Sequence, residues 1–84
     1  MSVELGYYKH FKGRVYQVIE VGKHSETGEE MVVYKGLYDS PAGYGAVWIR
    51  PVTMFVETIE RDGKTMRRFA PISPEEANEI LNKV

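Results

Sequence analysis

Two strand-like runs joined by a short polar connector constrain this 84-residue chain more than any other feature. The runs Val15 to Val21 and Met31 to Leu37 are rich in β-branched and aromatic residues, which favour strands. The connector at 24–29 has the sequence His-Ser-Glu-Thr-Gly-Glu, and its polar residues and glycine are typical of a turn. The sequence therefore predicts a central β-hairpin.

Three further strands are predicted downstream of this hairpin, at Ala46–Arg50, Met54–Glu60 and Thr65–Phe69. The pair Asp62-Gly63 favours a two-residue hairpin turn between the last two. Gly36 interrupts the second run, as glycines do at a bulge or a barrel corner. The pattern predicts a mainly β domain, a small barrel of about five short strands.

The segments outside these strands have other patterns. Ser73-Pro74-Glu75-Glu76 combines an N-cap serine, a proline at the first helical position and a glutamate that completes a capping box. Apolar residues then recur at helical spacing, at Ala77, Ile80, Leu81 and Val84. We expect one domain, 1–84, with a β core over 7–70 and a helix over 73–84. Met1 to Leu5 is expected to be frayed, Gly6 to Gly13 irregular or briefly extended, and Asp39 to Gly45 a loop.

Composition excludes several classes of function. The net charge of −1 gives no overall attraction to nucleic acid, so a nucleic-acid role needs a local basic patch. The chain has no cysteine, which removes disulfides, thiolate zinc sites and cysteine nucleophiles. No apolar run approaches the ~18 residues of a membrane span, and no signal-peptide pattern opens the chain. We expect a cytoplasmic protein with no membrane partner.

Aromatic and polar residues on neighbouring strands define one candidate site. Alternation places Trp48 and Arg50 on the same face of the third predicted strand, beside Tyr34 and Tyr38 on the second. Together they would form a polar-aromatic groove suited to a peptide, a nucleobase or a methylated cation. In the alternative interpretation Trp48 is the largest anchor of the core, which we favour for Trp48, and Arg50 pairs with a carboxylate such as Glu29 or Glu57.

The connector supplies a second candidate site. His24 with Glu26 or Glu29 would be the acid/base pair of a small hydrolase-like enzyme. Neighbouring residues on a turn rarely reach such a geometry, because catalytic groups normally converge from separate segments. The alternative is that the hydroxyls of Ser25 and Thr27 bond the local backbone and stabilise the hairpin. Two histidines, His10 and His24, are too few for a standard zinc site, so we expect no metal and no cofactor.

Many short motifs resemble one family in both order and spacing. They are Tyr8-Lys9-His10-Phe11-Lys12-Gly13, Tyr16 and Val18, His24-Ser25-Glu26-Thr27-x-Glu29, Val32-Val33-Tyr34, Leu37-Tyr38, Trp48-x-Arg50-Pro51, Met54-Phe55, Asp62-Gly63 and Arg68-Phe69. The sequence resembles, from about Tyr7 to Phe69, the bacterial family called domain of unknown function 1653. The resemblance implies an SH3-like β-barrel and no established activity.

The resemblance also implies a set of binding residues, because the family's typical polar and aromatic positions include the candidates above. The set is His10, Lys12, His24, Glu26, Thr27, Glu29, Tyr34, Tyr38, Trp48 and Arg50. In it the cationic side chains would bind anionic groups, the aromatic rings would stack, and the connector residues would donate and accept hydrogen bonds. We therefore predict a non-catalytic binding module for a peptide, a nucleic acid or a small polar ligand, as a monomer or weak homodimer. The alternatives are the hydrolase-like enzyme and a purely structural domain.

Overall fold

Nine strands and two helices make up residues 3–82, the part of the chain that the computed structural model describes. In chain order they are β1 (Gly6–His10), β2 (Val15–Lys23), β3 (Glu30–Gly36), β4 (Asp39–Ser40), β5 (Gly43–Tyr44), β6 (Val47–Pro51), α1 (Val52–Phe55), β7 (Thr58–Arg61), β8 (Lys64–Arg67), β9 (Phe69–Ile72) and α2 (Pro74–Leu81). The fold is thus mainly β with a C-terminal helix, as predicted.

Five antiparallel strands form the main sheet, in the order β6-β3-β2-β1-β9. The chain passes from β6 at one edge to β9 at the other through α1 and the separate β7–β8 hairpin. Within residues 3–82, β6 and β9 do not pair with each other. The predicted closure into an SH3-like barrel is therefore not confirmed, and it stays a prediction.

The central hairpin is confirmed as β2 and β3. A register shift between Val18 and Glu20 marks a bulge in β2. Gly36 pairs with Tyr16 at the end of β3, away from this bulge. A β-carbon on Gly36 would lie 2.8 Å from Cε1 of Tyr38, so the glycine makes room for that ring.

The core lies on one face of the main sheet. Alternate residues of β1, β2 and β3 point into it, among them Tyr8, Val18 and Val32. Phe55 of α1 and Phe69 of β9 fill its centre with stacked rings, 4.4 Å between centroids and 6° between planes. These two rings are 0% and 2% exposed, so they are the aromatic anchors of the domain.

The predicted strand Met54–Glu60 is wrong in its first half. The chain forms the single helical turn α1 there, and β7 begins only at Thr58. Val52 and Phe55, three residues apart, are both buried on the same side of this turn. Burial of these two side chains outweighs the strand preference of the local sequence.

The N-terminal segment is more ordered than predicted. Gly6–His10 is the strand β1, which pairs with both β2 and β9. Val3 is buried in the core, and the Glu4 carbonyl accepts a hydrogen bond from the Tyr8 hydroxyl at 2.9 Å. Tyr8 is buried, Lys9 is exposed and His10 is half-buried, which is the alternation of a sheet strand. Residues 1 and 2 of the predicted frayed lead-in lie outside the described residues.

The C-terminal predictions are mostly confirmed. Asp62 and Gly63 both have positive φ, as the predicted hairpin turn requires. The Glu76 amide donates to Oγ of Ser73 at 3.1 Å, so the predicted N-cap begins α2. The predicted fifth strand is instead two strands, since β8 pairs with β7 while β9 returns to β1. Val84, predicted for the apolar face of the helix, lies outside the described residues.

Candidate functional site

An open pocket of about 210 Å³ lies across all five strands of the main sheet. Its lining residues are His10, Tyr16, Tyr34, Tyr38, Trp48, Arg50 and Phe69. Antiparallel pairing brings them together, because it places Trp48 beside Tyr34 and Phe69 beside His10. Five of the ten predicted binding residues therefore lie in one concavity, among them the whole predicted polar-aromatic groove.

Aromatic rings form the floor of the pocket. The ring of Tyr16 meets those of Tyr34, Tyr38 and Phe69 edge-to-face, at centroid distances of 5.5, 5.5 and 5.4 Å. The hydroxyls of Tyr16 and Tyr38 are hydrogen-bonded at 2.8 Å. Burial raises the pKa of Tyr16 well above its ordinary value, and the bond to Tyr38 raises it further. The floor is thus an aromatic surface on which the Tyr16 hydroxyl stays neutral.

Arg50 supplies the positive charge of the pocket wall. Its Nε donates a hydrogen bond to the Tyr34 hydroxyl at 3.2 Å, and its guanidinium lies 5.6 Å from the Phe69 ring centroid. The alternative of a pair between Arg50 and Glu29 or Glu57 is not what the structure shows, because the one salt bridge within residues 3–82 joins Glu57 to Arg68 Nε at 2.7 Å. None of the lining residues is acidic. Arg50 therefore presents its charge to the pocket without a neutralising partner in the wall.

Trp48 is not the core anchor that the sequence favoured. It lies on the edge strand β6 and is 41% exposed. The centre of the core is already filled by Phe55 and Phe69. Trp48 instead stands at the pocket rim, with part of its surface open to solvent, which is a position suited to stacking on a ligand.

His10 closes the side of the pocket next to β9. Its ring meets Phe69 edge-to-face at 4.9 Å, and its Nδ1 accepts a hydrogen bond from the Lys12 amide at 3.2 Å. Burial lowers the pKa of His10, and the charges of Arg68, Lys12 and Arg50 lower it further. The lowered pKa favours the neutral ring, and the bond accepted by Nδ1 favours a proton on Nε2.

The connector between β2 and β3 does not take part in this pocket. Nδ1 of His24 accepts from the amides of Glu26 and Thr27 at 3.1 and 3.4 Å, and Oγ1 of Thr27 accepts from the Glu29 amide at 3.2 Å. The backbone closes the same turn, with His24 and Glu29 bonded at 2.8 Å. From Tyr16 to its end at Lys23, β2 extends roughly 23 Å. His24, Glu26, Thr27 and Glu29 thus form an exposed clip at the far end of the hairpin.

Two pocket residues were missing from the predicted site, Tyr16 and Phe69. The hairpin register carries the signal for Tyr16, because it pairs with Gly36 two residues from Tyr34. No hairpin register indicated Phe69, because its strand was predicted to pair with Met54–Glu60, whereas β9 pairs with β1. Lys12 is exposed beside the pocket and does not line it.

Searches for other kinds of site among residues 3–82 find neither a metal centre nor a membrane anchor. No group of three or more His, Cys, Asp or Glu side chains is arranged there to hold a metal ion. None of the helices in the same part of the chain has the length and apolar character to cross a bilayer.

A protein of known structure has a similar fold. A crystal structure of a DUF1653 protein from Bordetella bronchiseptica matches with a TM-score of 0.74 and 31% identity, over 84% of this chain and 88% of that chain. No curated protein matches the sequence. The family model described as "Protein of unknown function (DUF1653)" matches residues 6–71. The resemblance seen in the motifs is therefore confirmed, and the chain belongs to the DUF1653 family.

Proposed function

We propose that this domain is a non-catalytic binding module whose pocket holds a flat ring that carries an anionic group. The observation that supports it is the environment of Arg50. Tyr34 fixes this guanidinium in a pocket lined by aromatic rings and His10, and no carboxylate lines the pocket to neutralise it. Such a wall offers stacking surfaces and a fixed positive charge to the same ligand.

The charge of the pocket favours an anion over a cation. A cage of tyrosine and tryptophan by itself suits a methylated cation. Here Arg50 lies in the wall, and the guanidinium of Arg14 lies 4.6 Å from the ring centroid of Tyr38. Both would repel a cationic ligand. Of the three guanidinium nitrogens of Arg50, only Nε has a hydrogen-bond partner within residues 3–82. The two terminal nitrogens remain to bind a carboxylate or phosphate in bidentate fashion.

The size of the pocket limits what it holds. Pockets that enclose a drug-sized ligand have volumes of about 300–1,000 Å³. The volume here is about 210 Å³, so the pocket takes one group of a larger ligand or one small molecule. The open side next to Trp48 leaves the rest of the ligand in solvent.

The contacts of the connector support a structural role over hydrolysis. A general base needs a lone pair directed at the substrate. In His24 the Nδ1 lone pair is already occupied by two backbone amides. The hydrogen bonds of this loop stabilise the β2–β3 turn, in the way of other side-chain to backbone motifs.

The finer fold assignment is part of the same proposal. Strands β1, β2, β3 and β6 form a meander, and β9 returns to pair with β1 after the helical turn α1. This order of strands is that of SH3-like barrels, and it supports a barrel left open between β6 and β9.

The fluorescence of Trp48 tests the proposal, because it is the only tryptophan in the chain. We expect adenosine monophosphate, which joins a ring to an anion, to change this fluorescence at lower concentration than adenosine or inorganic phosphate does. Amide NMR shifts should map to residues lining the pocket. Arg50→Met should weaken binding of the monophosphate about tenfold, the value of one charged hydrogen-bond pair.

A matched variant controls for the loss of charge. Arg67→Met removes one exposed arginine from β8, outside the pocket, and should leave binding unchanged. An aromatic carboxylate such as 4-hydroxybenzoate provides a second ring-and-anion probe. If neither probe shifts the amides at 10, 34, 38, 48 and 50, the pocket is not a binding site and the proposal fails.

A further inference from the structure

A second aromatic and basic surface adjoins the pocket at His10. The His10 ring packs on Phe11 with 4.4 Å between centroids. Around the Phe11 ring lie three cationic groups, with Lys12 Nζ at 5.8 Å, Arg61 Cζ at 5.5 Å and Arg68 Cζ at 5.9 Å from its centroid. We call these four residues, Phe11, Lys12, Arg61 and Arg68, the Phe11 platform.

Most of the positive charge of this platform is not neutralised. Arg68 is bonded to Glu57 at 2.7 Å, and this is the only salt bridge within residues 3–82. Lys12 and Arg61 have no carboxylate within salt-bridge distance in that part of the chain, and both are exposed. Cations gathered around one ring repel each other, and an anion bound among them would relieve this repulsion.

The platform and the pocket form one continuous surface. His10 belongs to both, because it lines the pocket and packs on Phe11. A path across the sheet therefore runs from Arg50 through His10 to Phe11. Along it, the rings of His10 and Phe11 lie beside positive charges, and single-stranded nucleic acids bind to surfaces that combine aromatic rings with positive charge.

We propose, on the basis of the function proposed above, that the ligand is a single-stranded nucleic acid. One unstacked base lies in the pocket, and the neighbouring phosphates lie on Lys12 and Arg61. An acidic peptide would use the charges but would leave the stacking surfaces unused. A duplex keeps its bases paired and cannot place one in the pocket. Since the whole chain has a net charge of −1, the attraction is local to this surface.

The test compares ligands of different length with the intact chain. Trp48 fluorescence is titrated with uridine monophosphate and with hexanucleotides of uridine and deoxythymidine at several salt concentrations. We expect either hexanucleotide to bind at least about tenfold tighter than the monophosphate, because it adds a second stacked base on Phe11. Each phosphate contact adds about 0.7 to the salt slope of the logarithm of affinity. Preference for the uridine hexamer would assign RNA, and equal binding would assign single strands of either sugar.

Substitutions locate the phosphate contacts. Lys12→Gln and Arg61→Gln should each lower the salt slope by about 0.7. Lys23→Gln removes an exposed lysine at the far end of β2 and should leave the slope unchanged. All three side chains are exposed, so circular dichroism should show an unchanged fold.

The outcomes separate this inference from the proposed function. If monophosphate and hexanucleotide bind equally, with a slope that neither platform substitution changes, the single-strand inference is overturned and the pocket remains a binding site. Equal or tighter binding of a duplex, or of an acidic peptide such as oligoglutamate, overturns it as well. If neither the monophosphate nor a hexanucleotide binds, this inference fails, and the probes of the pocket described above decide the proposed function separately.

Discussion

Replacing Trp48 by alanine tests whether this residue lies at the rim of the pocket or anchors the core. Trp48 is 41% exposed on the edge strand β6, whereas Phe69, the neighbouring large ring, is 2% exposed. We expect Trp48→Ala to keep the fold and to lose most of the ligand binding. Phe69→Ala is expected to damage the fold itself.

The two magnitudes follow from burial. Removal of a buried phenylalanine costs about 3–5 kcal/mol, because a cavity is left behind. Trp48 lies opposite Tyr34 on the neighbouring strand, and its removal loses a cross-strand pair worth about 0.2–1 kcal/mol and part of the transfer free energy of a half-buried ring. Solvent fills the space that is left. The free energy of unfolding should therefore fall by only about 1–2 kcal/mol in Trp48→Ala.

Urea denaturation followed by far-ultraviolet circular dichroism measures both changes without a tryptophan signal. Amide NMR titration with adenosine monophosphate measures the binding of Trp48→Ala, which should weaken about tenfold through the lost stacking. A loss of stability from Trp48→Ala as large as that from Phe69→Ala would refute the reasoning. It would show that Trp48 anchors the core, as the sequence alone favoured.

Two further predictions concern the pocket wall and floor. Burial holds the pKa of folded His10 below its ordinary value of 6.5, so the unfolded chain takes up the proton first, and the free energy of unfolding should fall as the pH drops below that value. His10→Gln should remove this part of the pH dependence in denaturation at pH 7.5 and 5.5, and an unchanged dependence would contradict it. In Gly36→Ala the new β-carbon would meet the Tyr38 ring at 2.8 Å and displace it, which should cost about 1–3 kcal/mol of stability and weaken ligand binding. Denaturation and monophosphate titration of this variant check it, and wild-type values in both would show that the Tyr38 position is unimportant.

Local patterns predicted the parts of the fold that local chemistry determines. The hairpin of β2 and β3, the Asp62-Gly63 turn and the Ser73 cap each depend on residues close together in sequence. The pocket residues on β3 and β6 were also predicted, because period-two alternation places Trp48 and Arg50 on the same face of one strand, beside Tyr34 on the other. Strand pairing then brings these side chains together.

The wrong predictions concern parts of the fold that depend on contacts between segments distant in sequence. Met54–Phe55 has strand-like residues, yet α1 forms because Val52 and Phe55 both bury against the sheet. The return of β9 to β1 brings Phe69 under the pocket, and no pattern near Phe69 shows that partner. Trp48 was favoured as a core anchor by its size, but Phe55 and Phe69 already fill the centre of the core.

The two ends of the β2–β3 hairpin explain why the most conspicuous polar motif is not where we place the ligand. At the connector, the imidazole and hydroxyl acceptors of His24 and Thr27 are occupied by the backbone of their own turn. A ligand there would have to replace these bonds, with little net gain in free energy. Near the other end, on the adjacent strand β6, Trp48 keeps an exposed face, and the terminal nitrogens of Arg50 have no partners in residues 3–82. Binding energy is available where such groups gain contacts that the folded chain does not already make, and this condition holds at the pocket.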